Sequence, residues 1–135
     1  MTKRILALVL VFSCLIALTG CNSKELRDVF FSENTYEIQT DSMFPTFRIG
    51  DVIEYEEVDP GTLRVGDIII YWTVIENERV MNAHRIVAIY EDEKGIRYFE
   101  TQGDANNAPD ALTVHQSEVI GKYVRTVSGN SFPYV

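Results

Sequence analysis

Beyond its twenty-first residue the chain has no cysteine. Cys14 and Cys21 both lie in the first segment, which removes disulfides and thiolate metal sites from the folded body. Positive charge is scarce as well: 12 Lys and Arg stand against 20 Asp and Glu, a formal charge of −8. Phosphate binding needs basic patches, so this balance argues against a nucleic-acid partner. The acidic residues are spread along the chain rather than gathered in a tail, as on a solvated surface. The uncharged apolar run from Ile5 is about 14 residues, short of the ~20 that a spanning helix needs. Internal repeats and a second domain are not seen, and 135 residues fit one domain.

What the first segment does have is the order of an export signal. Lys3 and Arg4 form a basic start, the apolar run follows, and small residues precede a polar stretch. Leu18-Thr19-Gly20-Cys21 resembles the lipobox of bacterial lipoproteins, which are cut before the cysteine and carry a diacylglycerol on its sulfur. On that resemblance residues 1–20 are a signal peptide, Cys21 is the lipid anchor and 21–34 form a tether or short helix. The domain then sits, exported, on the outer face of the cell membrane. An ordinary signal peptide or a short uncleaved anchor is the alternative. Cleavage leaves 10 basic against 20 acidic residues, a formal −10.

From Thr35 the punctuation is that of a mainly β domain of antiparallel strands, spanning 35–135. Strands are expected at 36–40, 51–55, 67–74, 80–90, 96–101 and 118–127. Asp59-Pro60-Gly61 and 91–95 read as turns, and 103–109 as a loop of Gly, Asp, Asn and Pro. Gly50-Asp51 and Gly66-Asp67 each open a strand, a turn glycine followed by an acid that bonds nearby amides.

Three stretches carry chemistry: 40–51 with Thr40 and Ser42, 82–87 with His84, and 101–110 with Asp104 and Asp110. A serine hydroxyl is a weak nucleophile and needs a base within hydrogen-bond reach. Histidine suits that task, and a carboxylate is needed to fix its tautomer. Of the lysines Lys24, Lys94 and Lys122, Lys94 lies in a solvated turn, whereas a catalytic lysine must be desolvated, and none lies in the three stretches, which sets a Ser-Lys pair aside. Each residue also has a plain structural role open to it. Ser42 reads as a turn serine before Pro45, His84 as a satisfied core histidine, and the two acids as loop caps. His115, the other histidine, is expected to be exposed.

Taken together the stretches resemble the type I signal peptidase family. Ser42-Met43-Phe44-Pro45-Thr46, followed by Gly50-Asp51, is similar to its nucleophile box, and Gly66-Asp67-Ile68-Ile69 to the next one. His84-Arg85-Ile86-Val87 stands where the bacterial subgroup has Lys and the endoplasmic-reticulum subgroup has His. Gly103-Asp104-Ala105-Asn106, with Asp110 further on, is similar to the last box. The resemblance covers about 36–124 and implies a signal-peptidase-like β-domain. It implies Ser42 as nucleophile, His84 as general base, and Asp110 as first choice to orient the base, with Asp104 second or structural. The Ser42 backbone N–H would be one oxyanion donor and the Thr40 hydroxyl a second; losing one such donor costs ~3 kcal/mol of barrier. Asp41, next to the nucleophile, is unfavourable there unless it points away. No cofactor or metal is implied. The expected partner is a protein or peptide with small residues at the first and third positions before the cut.

The anchor departs from the family, which carries a transmembrane helix close before the nucleophile. Here 21 residues separate Cys21 from Ser42, an extended reach of up to ~70 Å. That favours specialised processing of a few exported proteins. Phe30, Phe31, Phe44 and Phe47 are candidates for touching the bilayer or for the core. Two further readings share the fold: a catalytically silent lipoprotein that binds exported segments, and a self-cleaving repressor-like domain. The export signal and missing Lys weigh against the latter.

Overall fold

A computed structural model describes residues 34–128. The expected signal peptide, the expected Cys21 anchor and the expected tether up to residue 33, with Phe30 and Phe31, lie outside the described residues, as do residues 129–135. Seven strands form one antiparallel sheet: β1 (Thr35–Glu37), β2 (Val52–Glu56), β3 (Ile68–Ile75), β4 (Glu78–Glu91), β5 (Arg97–Gln102), β6 (Val114–His115) and β7 (Val119–Ser128). Their order across the sheet is β1-β2-β7-β3-β4-β5-β6. Among the described residues no helix is long and apolar enough to cross a membrane.

The central strand shows why the sheet has a core on each face. The run Ile68-Ile69-Ile70-Tyr71 is buried throughout, and successive side chains of a strand point to opposite faces. Ile68 and Ile70 pack with Ile38, Met43, Phe47, Ile53 and Ala83. Ile69 and Tyr71 pack with Leu63, Ile86, Phe99 and Val114.

β3 and β4 are joined by Glu76 and Asn77, which have φ of 51° and 68°. Two residues with positive φ match the right-handed twist of a hairpin. This tight turn fixes the register, so that Ile69 faces His84 and Tyr71 faces Asn82. β4 is long enough to pair with β3 along its first half and with β5 along its second. A register shift leaves Val87 unmatched between the Ile86↔Thr101 and Ala88↔Glu100 pairs.

The expected strand at 36–40 is shorter in the structure. Pairing ends at Glu37, and Ile38 instead bonds Gly50 and Asp51 as the chain turns toward Ser42. β6 and two 3-10 turns, Pro60–Thr62 and Gln116–Glu118, add to the expected elements. Asp51 and Asp67 each accept the amide three residues earlier, from Arg48 and Arg64, both at 2.9 Å. The glycines before them have φ of 87° and 97°, a region that favours glycine. Lys122 also pairs with Asp67 at 2.9 Å. His115 is half-buried rather than exposed: its Nδ1 accepts from Ser117 N–H at 3.1 Å and caps the second 3-10 turn.

Candidate active site

Ser42 sits in a turn that drives two of its apolar residues into the first core. Met43 and Phe47 are each 1% exposed, and Phe47 packs on Tyr123 with ring centroids 4.9 Å apart. Phe47 is therefore core, whereas Phe44 is about half exposed. Backbone bonds Phe44 N–H to Asp41 O (2.9 Å) and Phe47 N–H to Met43 O (3.0 Å) close the turn. Pinned on both sides, the turn presents half-buried Ser42 with a fixed aim, while the Asp41 side chain is exposed.

His84 is 5% exposed in the middle of β4. Its Nε2 lies 2.9 Å from Ser42 Oγ, and its Nδ1 lies 2.6 Å from Asp110 Oδ2. An ionised carboxylate only accepts, so the ring proton belongs on Nδ1 and the Nε2 lone pair faces the serine hydroxyl. The Ser42 proton is then committed to His84, and the Thr40 hydroxyl, 3.0 Å from Ser42 Oγ, is the donor of that pair.

Asp110 Oδ2 accepts more than the imidazole. Thr101 Oγ1 donates to it at 2.7 Å and the Tyr71 hydroxyl at 3.2 Å. Burial works to raise the Asp110 carboxyl, but the hydrogen bonds from His84, Thr101 and Tyr71 outweigh it and hold the group below the usual carboxylate range. Asp104 is engaged elsewhere. Arg85 grips it with two bonds, Nε to Oδ1 at 2.8 Å and Nη2 to Oδ2 at 2.7 Å, and Thr46 donates to it as well. The Arg85 fork holds Asp104 below the usual range against the effect of burial. Of the two candidate acids, Asp110 is thus the one that touches the imidazole.

The loop from Gly103 to Asp110 is fitted to the Ser42 turn. Ala105 N–H donates to Ser42 O at 2.9 Å. Gly103 is buried, and a Cβ there would lie 2.4 Å from Ser42 O and 3.1 Å from His84 Nε2. Beside Ser42 is a small cavity of about 10 Å³ lined by Tyr36, Ile38, Gln39, Thr40, Met43, Asn82 and Ala83. The places of Tyr36, Ile38 and Gln39 in its lining, and the roles of Thr101 and Tyr71 around Asp110, go beyond what the sequence singled out. Tyr71 reads there as one more member of an apolar strand.

No protein-family model matches the chain. It is similar to the signal peptidase complex catalytic subunit sec11 of Dictyostelium discoideum, with 39% identity over 69 residues, 51% of this chain and 37% of that protein. The signal peptidase complex catalytic subunit SEC11C of Homo sapiens and of Mus musculus is 26% identical over 101 residues, 75% of this chain and 46% of theirs. The chain spans less than half the length of these curated relatives. It is a distant homologue of signal peptidase catalytic subunits.

Proposed function

We propose that the chain is a membrane-tethered serine endopeptidase that cuts signal peptides, or a few exported precursors, after small residues. The observation that carries this reading is the continuous hydrogen-bonded line from Ser42 Oγ through His84 to Asp110. Homology to signal peptidase catalytic subunits supports the reaction class.

In this mechanism Ser42 Oγ attacks the scissile carbonyl carbon while His84 Nε2 takes its proton. Asp110 keeps the proton on Nδ1 beforehand and stabilises the imidazolium once it forms. The imidazolium then protonates the leaving amine, and water hydrolyses the acyl-enzyme by the reverse sequence of proton transfers. The Ser42 backbone N–H and the Thr40 hydroxyl are the oxyanion donors. When Oγ becomes bonded to the acyl carbon, the Thr40 hydroxyl is released to turn toward the new oxyanion, a hydrogen bond made only on the way to the transition state. Preference for small side chains before the cut is supported by the cavity of about 10 Å³ beside Ser42, roughly one water's room. Cys21 supplies the lipid anchor that holds the domain on the outer face of the membrane.

The test uses the full chain in membranes beside a Ser42→Ala copy, incubated with precursors exported by the same organism. New N-termini read by mass spectrometry should follow small residues, appear with the parent, and vanish with Ser42→Ala and His84→Ala. Equal silence of parent and variant, with precursors bound to both, replaces the peptidase with a binding lipoprotein. Fatty-acid labelling that survives Cys21→Ala overturns the anchor.

A further inference from the structure

Tyr71 has a hydroxyl where packing asks for none. The residue is 3% exposed and lies among Leu63, Ile69, Ile86, Phe99 and Val114, a setting that a phenylalanine would satisfy. A buried hydroxyl is costly unless paired, and this one is paired with chemistry on one side and with Asn82 on the other. Asn82 Nδ2 lies 3.1 Å from the Tyr71 oxygen, and Asp110 Oδ2 lies 3.2 Å from it.

Donor and acceptor counting gives the pair a direction. The Asn82 amide nitrogen can only donate, so it occupies a lone pair of the Tyr71 oxygen. The Thr101 proton is already committed to Asp110 at 2.7 Å. Two acceptors lie within reach of the single phenolic proton, Thr101 Oγ1 at 3.3 Å and Asp110 Oδ2 at 3.2 Å, and the carboxylate, nearer and charged, takes it. Asp110 Oδ2 thus takes three donors, His84 Nδ1–H, Thr101 O–H and Tyr71 O–H, from three different strands. Burial, followed by the nearby Asp110 charge, pushes the Tyr71 hydroxyl well above its usual pKa, so it keeps its proton throughout the working pH range.

We propose that Tyr71 is a positioning residue for the peptidase reaction: its hydroxyl, aimed by Asn82, holds Asp110 Oδ2 on His84 Nδ1. The proposal rests on the serine peptidase reading. It assigns to an apolar-looking strand position the task of keeping the acid aimed through the catalytic cycle.

Tyr71→Phe in the full chain removes only the hydroxyl but leaves the Asn82 amide without its acceptor. Tyr71→Phe/Asn82→Leu removes both partners, which restores packing without restoring the bond. The expected result is a fall in kcat of about tenfold in both variants, with KM unchanged in Tyr71→Phe, while the melting temperature drops in the single variant and recovers in the double. A second reading is independent of turnover: the far-downfield proton resonance of His84 Nδ1–H, recorded on the full chain in detergent micelles, should move in both. A kcat within twofold of the parent together with an unmoved resonance overturns the proposal. So does a kcat that recovers along with the melting temperature, which would make the pair structural. If parent and Ser42→Ala are equally silent, the peptidase reading fails by itself. An unmoved resonance then also refutes Tyr71 as the residue that holds Asp110, while a moved one supports that geometry.

Discussion

Gly103→Ala tests the join between the nucleophile turn and the acid loop. The added methyl carbon would meet Ser42 O at 2.4 Å, Asn106 Nδ2 at 2.9 Å and His84 Nε2 at 3.1 Å. The Asn106 amide is the end of a flexible side chain and can swing aside. Ser42 O is backbone, held by Ala105 N–H at 2.9 Å and flanked by the buried anchor Met43. Opening the contact to the 3.0 Å that real Cβ atoms respect requires the loop and the serine to part by about 0.6 Å, at a cost of about 1–3 kcal/mol for overpacking. Ser42 Oγ starts 2.9 Å from His84 Nε2, so that displacement carries the pair to the edge of hydrogen bonding. A misplacement near 1 Å costs about 100-fold in rate, and a fall in kcat of roughly 10- to 100-fold is expected. The assay is single-turnover cleavage of a purified precursor, with a thermal melt on the same sample. A variant that keeps both kcat and melting temperature within error of the parent would refute the reasoning, because the clash would then have been absorbed without moving either loop.

Asp110→Asn should lower kcat by about 10⁴, the loss seen when a triad acid is replaced by its amide with geometry intact. Single-turnover kinetics check this, and a loss under tenfold would mean that the imidazole is held without the acid. Asp104→Asn should instead lower the melting temperature, because it weakens the Arg85 fork, and should slow turnover less than Asp110→Asn does. Both acids have depressed folded-state values, so each contributes stability above the unfolded carboxylate pKa of ~3.9. That contribution is lost as pH falls through the folded values. The urea midpoint should therefore drop as pH falls from about 4, and Asp104→Asn should flatten part of the drop. An unchanged slope would remove Asp104 from the account.

The strands were legible because their apolar patterning is a local property. Residues 67–74 and 80–90 fall within one to two residues of the ends of β3 and β4. β6 has only two residues and is made a strand by its pairing with β5, which no local pattern announces. The resemblance to signal peptidases nominated Ser42, His84, Asp104 and Asp110 but left the two acids ranked rather than placed. Telling them apart needs the position of Arg85, whose fork takes Asp104. Tyr71 was hidden by its neighbours, since Ile-Ile-Ile-Tyr reads as buried strand from end to end. One signal was there to be used. Had Glu76-Asn77 been recognised as a two-residue hairpin turn, counting back from it would have set Tyr71 opposite Asn82 and Ile69 opposite His84.

Within the site, β4 and the loop carrying Asp104 and Asp110 hold each other at two points. His84 and Arg85 are consecutive on β4 and so leave it on opposite sides. Each meets an acid of the same loop, His84 taking Asp110 and Arg85 taking Asp104. Between those two acids the loop gives its Ala105 amide to Ser42 O. Ser42 is therefore referenced to the same segment that aims His84. Asp104 also interacts with His84 through its charge, without touching the ring. With that charge and the Arg85 fork both weakened, Asp104→Asn is expected to slow turnover modestly although Asp104 makes no contact with the imidazole.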